Sequence, residues 1–123
     1  MTGEHIELGK QGESAAVTFL KKKGYRILEK NFRVPAGEID IVAEHDKVVV
    51  FIEVKTRMGL GFGHPFTAVT RAKQKKLSAV AQSFLAKHKI TRRDCRFDVV
   101  SVIVYENRDT PPLIELLQDA FRV

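Results

Sequence analysis

The chain has no tryptophan, a single cysteine and only four prolines in 123 residues. Each scarcity excludes something. One cysteine, Cys95, cannot form an internal disulfide, and with no CxxC or Cys/His cluster there is no zinc site of the usual spacing. Cys95 is expected to be a partly buried thiol beside a strand, and such usage suits a reducing cytoplasm. No stretch approaches the roughly 18 apolar residues of a membrane span. Met1 to Lys10 has no apolar core of signal-peptide length. The expectation is a soluble cytoplasmic protein with no membrane partner. The four histidines, His5, His45, His64 and His88, are scattered and none is assigned a role. No internal repeat, low-complexity run or aromatic stacking array is visible.

What is present is ordinary globular composition, 44% hydrophobic and 29% charged. Its length suits one domain, residues 1–123, large enough to fold without a staple. The net charge of +6 favours a polyanionic partner, nucleic acid being the commonest.

Hydrophobic periodicity gives the order α-β-β-β-α-β-β, an α/β fold with helices on one mixed sheet. Ala16, Val17 and Leu20 place a helix over about Gly9 to Lys23, stopped by Gly24. Tyr25 to Arg33 reads as a strand with an irregular middle, and Pro35-Ala36-Gly37 as a turn. Glu38 to Ala43 alternates, and Glu44 to Lys47 reads as a polar loop. Val48 to Thr56 has the composition of a central strand covered on both faces. A glycine-rich loop from Met58 to Pro65 leads to a helix from about Thr70 to His88. Its inner stripe is Gln74, Leu77, Val80, Ala81, Phe84 and Leu85. Phe97 to Tyr105 and the short Leu113 to Leu117 complete the set.

The chemistry concentrates on the second and third strands. Strict alternation puts Glu38, Asp40 and Val42 on one face and Val49, Phe51, Glu53 and Lys55 on one face. An even-numbered hairpin loop would bring Asp40 opposite Glu53, or one diagonal away, within about 8 Å. Glu53 and Lys55 end an apolar run, where charges are costly unless paired with each other or with an ion. Glu13 falls on the apolar stripe of the first helix with Ala16, Val17 and Leu20. It is either a carboxylate favoured by the helix dipole or one held over the sheet to bind water or metal. Hard carboxylate oxygens suit Mg2+ or Mn2+, which act as Lewis acids toward phosphate, and a lysine can orient water or neutralise transition-state charge.

Gly37-Glu38-Ile39-Asp40 followed by Phe51-Ile52-Glu53-Val54-Lys55-Thr56-Arg57 resembles the PD-(D/E)XK nuclease superfamily. More narrowly, the chain resembles the YraN-like family of small bacterial proteins. That match includes Gly12-Glu13-Ser14-Ala15-Ala16, Asn31-Phe32-Arg33, Phe62-Gly63-His64-Pro65, Lys73-Gln74-Lys75-Lys76-Leu77 and Arg96-Phe97-Asp98-Val99-Val100. The resemblance implies a restriction-endonuclease-like αβββαβ core, similar to archaeal Holliday-junction resolvases, with a mixed central sheet flanked by helices. It also implies a metal-dependent DNA nuclease. By the resemblance Asp40 and Glu53 bind Mg2+ or Mn2+, the carbonyl of Val54 is a further ligand, and Lys55 is the catalytic lysine. Glu13 and Gln74 match helical residues near the active site of such enzymes, and a homodimer is a possible assembly. Ile39 stands where the superfamily name has proline.

Arg71, Lys73, Lys75 and Lys76 cluster at the start of the second long helix, against the helix dipole, and Arg57 follows the catalytic motif. A visiting phosphate would account for that placement, so these five residues are the expected nucleic-acid contacts, reading backbone and shape. The rival expectation is a catalytically silent nucleic-acid-binding or scaffold module on the same fold.

Overall fold

A computed structural model describes residues 3–59 and 69–122, with side chains from residue 7 onward. The elements are α1 (Gly3–Lys22), β1 (Arg26–Val34), β2 (Gly37–His45), β3 (Val48–Met58), α2 (Arg71–Lys87), β4 (Cys95–Val104) and β5 (Leu113–Phe121). The strands lie in sequence order in one five-stranded sheet. β3 and β4 are parallel, with α2 as their crossover, and the other neighbours are antiparallel. The fold is a mixed α/β sheet flanked by helices.

Local chemistry explains the boundaries. α1 begins well before Gly9 and ends where the sequence indicates. Gly24, with φ of +92°, takes the left-handed position after the last turn. The Gly24 N–H bonds to Lys21 O and the Tyr25 N–H to Leu20 O, which satisfies the final carbonyls. Thr70 caps α2 by accepting the Lys73 N–H, and His88 closes it. The irregular middle of β1 is a register shift between Ile27 and Glu29. The expected polar loop at Glu44 to Lys47 is shorter than the sequence suggests. Asp46 and Lys47, both at positive φ, make the whole turn, and Glu44 and His45 remain paired in β2. A two-residue turn of this hand matches the twist of the flanking strands. β5 runs past Leu117 to Phe121. Cys95 is exposed at the first position of β4, not partly buried beside a strand. Most of the Met58 to Pro65 loop lies outside the described residues.

Two apolar cores sandwich the sheet. On the α1 side, Ala16, Leu20 and Tyr25 meet Ile41, Ala43, Val50, Ile52, Val100 and Val102. On the α2 side, Leu77, Val80, Ala81 and Phe84 meet Phe32, Ile39, Val42, Val49 and Phe51. β3 supplies both through alternate residues, and Val49 to Ile52 are all buried, as a central strand requires. Of the inner stripe foreseen for α2, Gln74 and Leu85 are only half-buried.

A further polar cluster locks the sheet at its hairpin end. Asp98 is 1% exposed, and its carboxylate accepts from Tyr25 Oη at 2.8 Å, Arg96 Nε at 3.0 Å and the Asp119 N–H at 2.9 Å. Gln118 and Arg96 also donate to the Tyr25 hydroxyl, and Tyr25 stacks on His45. These contacts join the chain just before β1 to β2, β4 and β5.

Gly12 decides how closely α1 approaches β3. A Cβ at this position would overlap the Thr56 side chain. Gly→Ala within a helix ordinarily stabilises by about 1 kcal/mol. Here Gly12→Ala is expected to destabilise by about 1–3 kcal/mol through overpacking. Trimming Thr56 to Ala in the same chain should restore part of the loss. Denaturant unfolding of both single variants and the double variant tests this, and additive losses would remove the steric explanation.

Candidate active site where the sheet opens

β2 and β3 do not stay together along their length. Their ladder runs from His45↔Val48 to Ile41↔Ile52 and stops. Beyond it, β2 continues to Gly37 paired with β1, while β3 continues to Met58 paired with β4. The two strands therefore part at Asp40 and Glu53, the next positions in the register.

The Asp40 side chain takes part in that separation. Its Oδ2 accepts the Val54 N–H at 2.7 Å. A carboxylate thus fills a place that a strand carbonyl would fill in a continuous ladder. The alternation expected for Glu38, Asp40 and Val42 also breaks here. Ile39 packs in the α2-side core and Ile41 in the α1-side core, although strict alternation would put them on one face. β1 carries the matching irregularity: Asn31, between the pairs Phe32↔Ile39 and Lys30↔Ile41, has φ of +55°. Asn tolerates this left-handed conformation better than most residues.

Asp40 and Glu38 consequently line a cavity of about 510 Å3 on the α1 side, with Glu13, Asn31, Val54 and Thr56. Glu13 is half-buried and its Oε1 accepts from Asn31 Nδ2 at 2.9 Å. Lys10 and Arg33 also line the cavity, and Arg33 is ion-paired with Glu38.

Glu53 approaches from the other face of β3. Its side chain is 14% exposed, and Oε1 lies 3.4 Å from Lys73 Nζ on α2. Burial, then the neighbouring Glu53 carboxylate, push Asp40 up to about 7 against the opposing effect of the Val54 N–H. Two acids sharing so little solvent favour a proton, or another cation, between them. Lys55 follows the same logic with opposite sign. Burial and the charge of Lys73 hold its ammonium below the usual lysine range, Glu53 partly offsets them, and Arg57 adds to the lowering.

Asp40, Glu53, Val54, Lys55 and Lys73 are thus brought together, with Glu13 across the cavity. Gln74 is not aimed at the carboxylates: its Nε2 donates to Val69 O at 2.8 Å, tying α2 to the segment before it. Arg71, Lys75 and Lys76 are exposed near the N-terminus of α2, whose first turn holds no acidic residue. Arg57 is half-buried further along β3. Among the described residues no three His, Cys, Asp or Glu side chains form a metal cage. A cation here would rely on two carboxylates, backbone oxygen and water. Asn31 was noted only within the Asn31-Phe32-Arg33 motif and given no role, and its signal was an Asn within an irregular strand. The buried acid Asp98 was noted only as part of a motif.

An opened sheet with converging acids and neighbouring lysines and arginines defines a mixed α/β protein with an acid-lined cleft. The chain belongs to the uncharacterised protein family UPF0102, whose model matches residues 12–102, a span that includes every one of these side chains except Lys10. Proteins of that family resemble it over most of their length. One from Caldicellulosiruptor saccharolyticus is 48% identical over 116 residues, covering 94% of this chain and 97% of its own. Another from Chloroherpeton thalassium is 44% identical over 123 residues, covering 96% and 95%. A third from Syntrophotalea carbinolica is 44% identical over 102 residues, covering 83% of each chain.

The raised Asp40 predicts a pH-dependent stability. Its carboxyl binds a proton more tightly in the fold than in the unfolded chain, so stability falls as pH rises from about 4 to about 7 and levels above that. Asp40→Asn keeps an acceptor for the Val54 N–H and removes the charge. Without added metal, the variant should match wild type near pH 4 and exceed it by about 1–2 kcal/mol at pH 8. Thermal unfolding across that range checks the sign, and a difference independent of pH would refute the assignment.

Proposed function

We propose that this protein is a metal-dependent DNA nuclease acting in the cytoplasm, and that its sheet and helices form the restriction-endonuclease-like αβββαβ core. The observation that carries the reading is the meeting of Asp40 and Glu53 where the β2–β3 ladder ends, with Asp40 driven toward neutrality by burial and by Glu53. Groups arranged to repel each other at a solvent-accessible cleft are costly to the fold and are the usual mark of a site that awaits a cation or a reaction.

The donor set fits a hard divalent cation, Mg2+ or Mn2+, held by Asp40, Glu53 and the Val54 carbonyl. Such an ion would supply Lewis acidity toward a phosphodiester. The chain's own groups do the rest. The Val54 N–H holds one Asp40 oxygen in place. Lys55, poised on β3 beside Glu53, places positive charge where phosphate develops negative charge. Glu13, held by Asn31, can position water over the cavity. Arg57, Arg71, Lys75 and Lys76 give the backbone of a nucleic acid a basic approach.

A second reading has its own observation. Lys73 already sets an ammonium against Glu53, which is how a fold that had abandoned metal would satisfy that acid. This describes a silent nucleic-acid-binding module.

Lys55→Ala separates the two. In the nuclease reading it cuts cleavage of a panel of linear, flap and four-way DNA in Mn2+ by about a hundredfold or more. Calorimetric Mn2+ binding and melting temperature then stay near wild type, while Asp40→Ala loses the metal. Wild type that binds no Mn2+ and cleaves nothing, together with a Lys55→Ala variant that melts much lower, would leave the binding module standing.

A further inference from the structure

α1 and the β4–β5 connection leave an open groove of about 710 Å3 that the proposed chemistry does not use. Its floor is an outcrop of the α1-side core: Ala15, Phe19, Val104 and Ile114 are only partly buried. Pro111 and Pro112 form one wall, a rigid surface with no backbone N–H to offer. The other wall is a stripe of α1 in which Lys10, Ser14, Thr18 and Lys22 recur every fourth residue. Among the described residues, no acidic side chain lines the groove.

The geometry sets both the chemistry and the length of an occupant. Lys10 and Lys22 lie about 18 Å apart along the helix at 1.5 Å per residue. An extended peptide covers that distance in about five or six residues. A nucleic-acid backbone fits poorly, because it would lay phosphates along an apolar floor between the two lysines. An apolar floor with a positive charge at each end suits a short protein segment whose apolar side chains are bracketed by acids.

We propose that this groove docks a partner protein through a short apolar segment flanked on both sides by acidic residues. Lys10 lines both this groove and the cavity at Asp40. One end of the docked segment therefore lies at the mouth of the candidate site, so the partner is held beside whatever that site binds. The assignment does not depend on the nuclease reading.

The probe is a dye-labelled eight-residue peptide with four apolar residues between pairs of aspartates, followed by fluorescence anisotropy on the full chain. A lysine-flanked peptide with the same centre is the control. Wild type should bind only the aspartate-flanked peptide. The exposed double change Lys10→Glu and Lys22→Glu should weaken that binding about tenfold or more and confer binding to the lysine-flanked peptide. Thr18→Trp, which fills the groove without altering charge, should abolish binding, with circular dichroism confirming that each variant is folded. The proposal fails if binding does not saturate by about 1 mM, or if neither variant changes it. It also fails if single-stranded DNA displaces the peptide and itself loses affinity in Thr18→Trp, which would give the groove to nucleic acid.

Discussion

The candidate site exists because one backbone N–H is satisfied by a side chain. In an antiparallel pair each strand ordinarily satisfies the other, and a lost partner is expensive in a buried sheet. Here the Val54 N–H is taken by the Asp40 carboxylate, so β2 is free to leave β3 without an orphan donor. The departure opens the cleft to Glu13 on one face, while the half-buried Glu53 and Lys55 lie toward the other. The same bond that permits the opening also orients an acid within it.

The strain this introduces is carried by a framework that is otherwise conservative. Apolar cores on both faces hold β3 rigid up to Ile52, immediately before the acids begin. On β4, in register with Ile52, Asp98 accepts hydrogen bonds from Tyr25, Arg96 and Asp119. Burying an acid is unfavourable when it is unpaired, yet Asp98 is surrounded by donors and Asp40 is pressed against a second acid. Among the described residues, the buried Asp98 and the half-buried Asp40 thus have opposite characters. Asp98 is satisfied by donors that tie strands together, and Asp40 is held against the Glu53 carboxylate.

Most of the architecture was legible in the sequence because it rests on short-range rules. The helix from about Thr70 to His88, with its apolar stripe, follows from periodicity alone. The composition of Val48 to Thr56 likewise marked the central strand, and alternation with an even-numbered hairpin loop placed Asp40 opposite Glu53, as the register has it. The break in alternation at Asp40 was not legible, since it depends on the left-handed backbone of Asn31 on a neighbouring strand. The Lys73 to Glu53 contact was hidden for a different reason. It joins a helix to a strand across an intervening loop, and no local pattern encodes that approach. Asp46-Lys47 misled the reading because neither residue is glycine, although both adopt the conformation glycine favours.

The parallel pairing of β3 with β4 has a consequence for how the molecule is assembled. Val49 meets Cys95 and Met58 meets Val104, so every rung of this ladder closes a loop that contains all of α2. The β2–β3 hairpin closes over two residues and can form early, whereas the β3–β4 rungs must wait for a long closure. During synthesis, then, Asp40 and Glu53 can face one another before the strand that buries Glu53's other side has left the ribosome. The acids would meet while water still screens them, and their repulsion would grow only as the last strands dock.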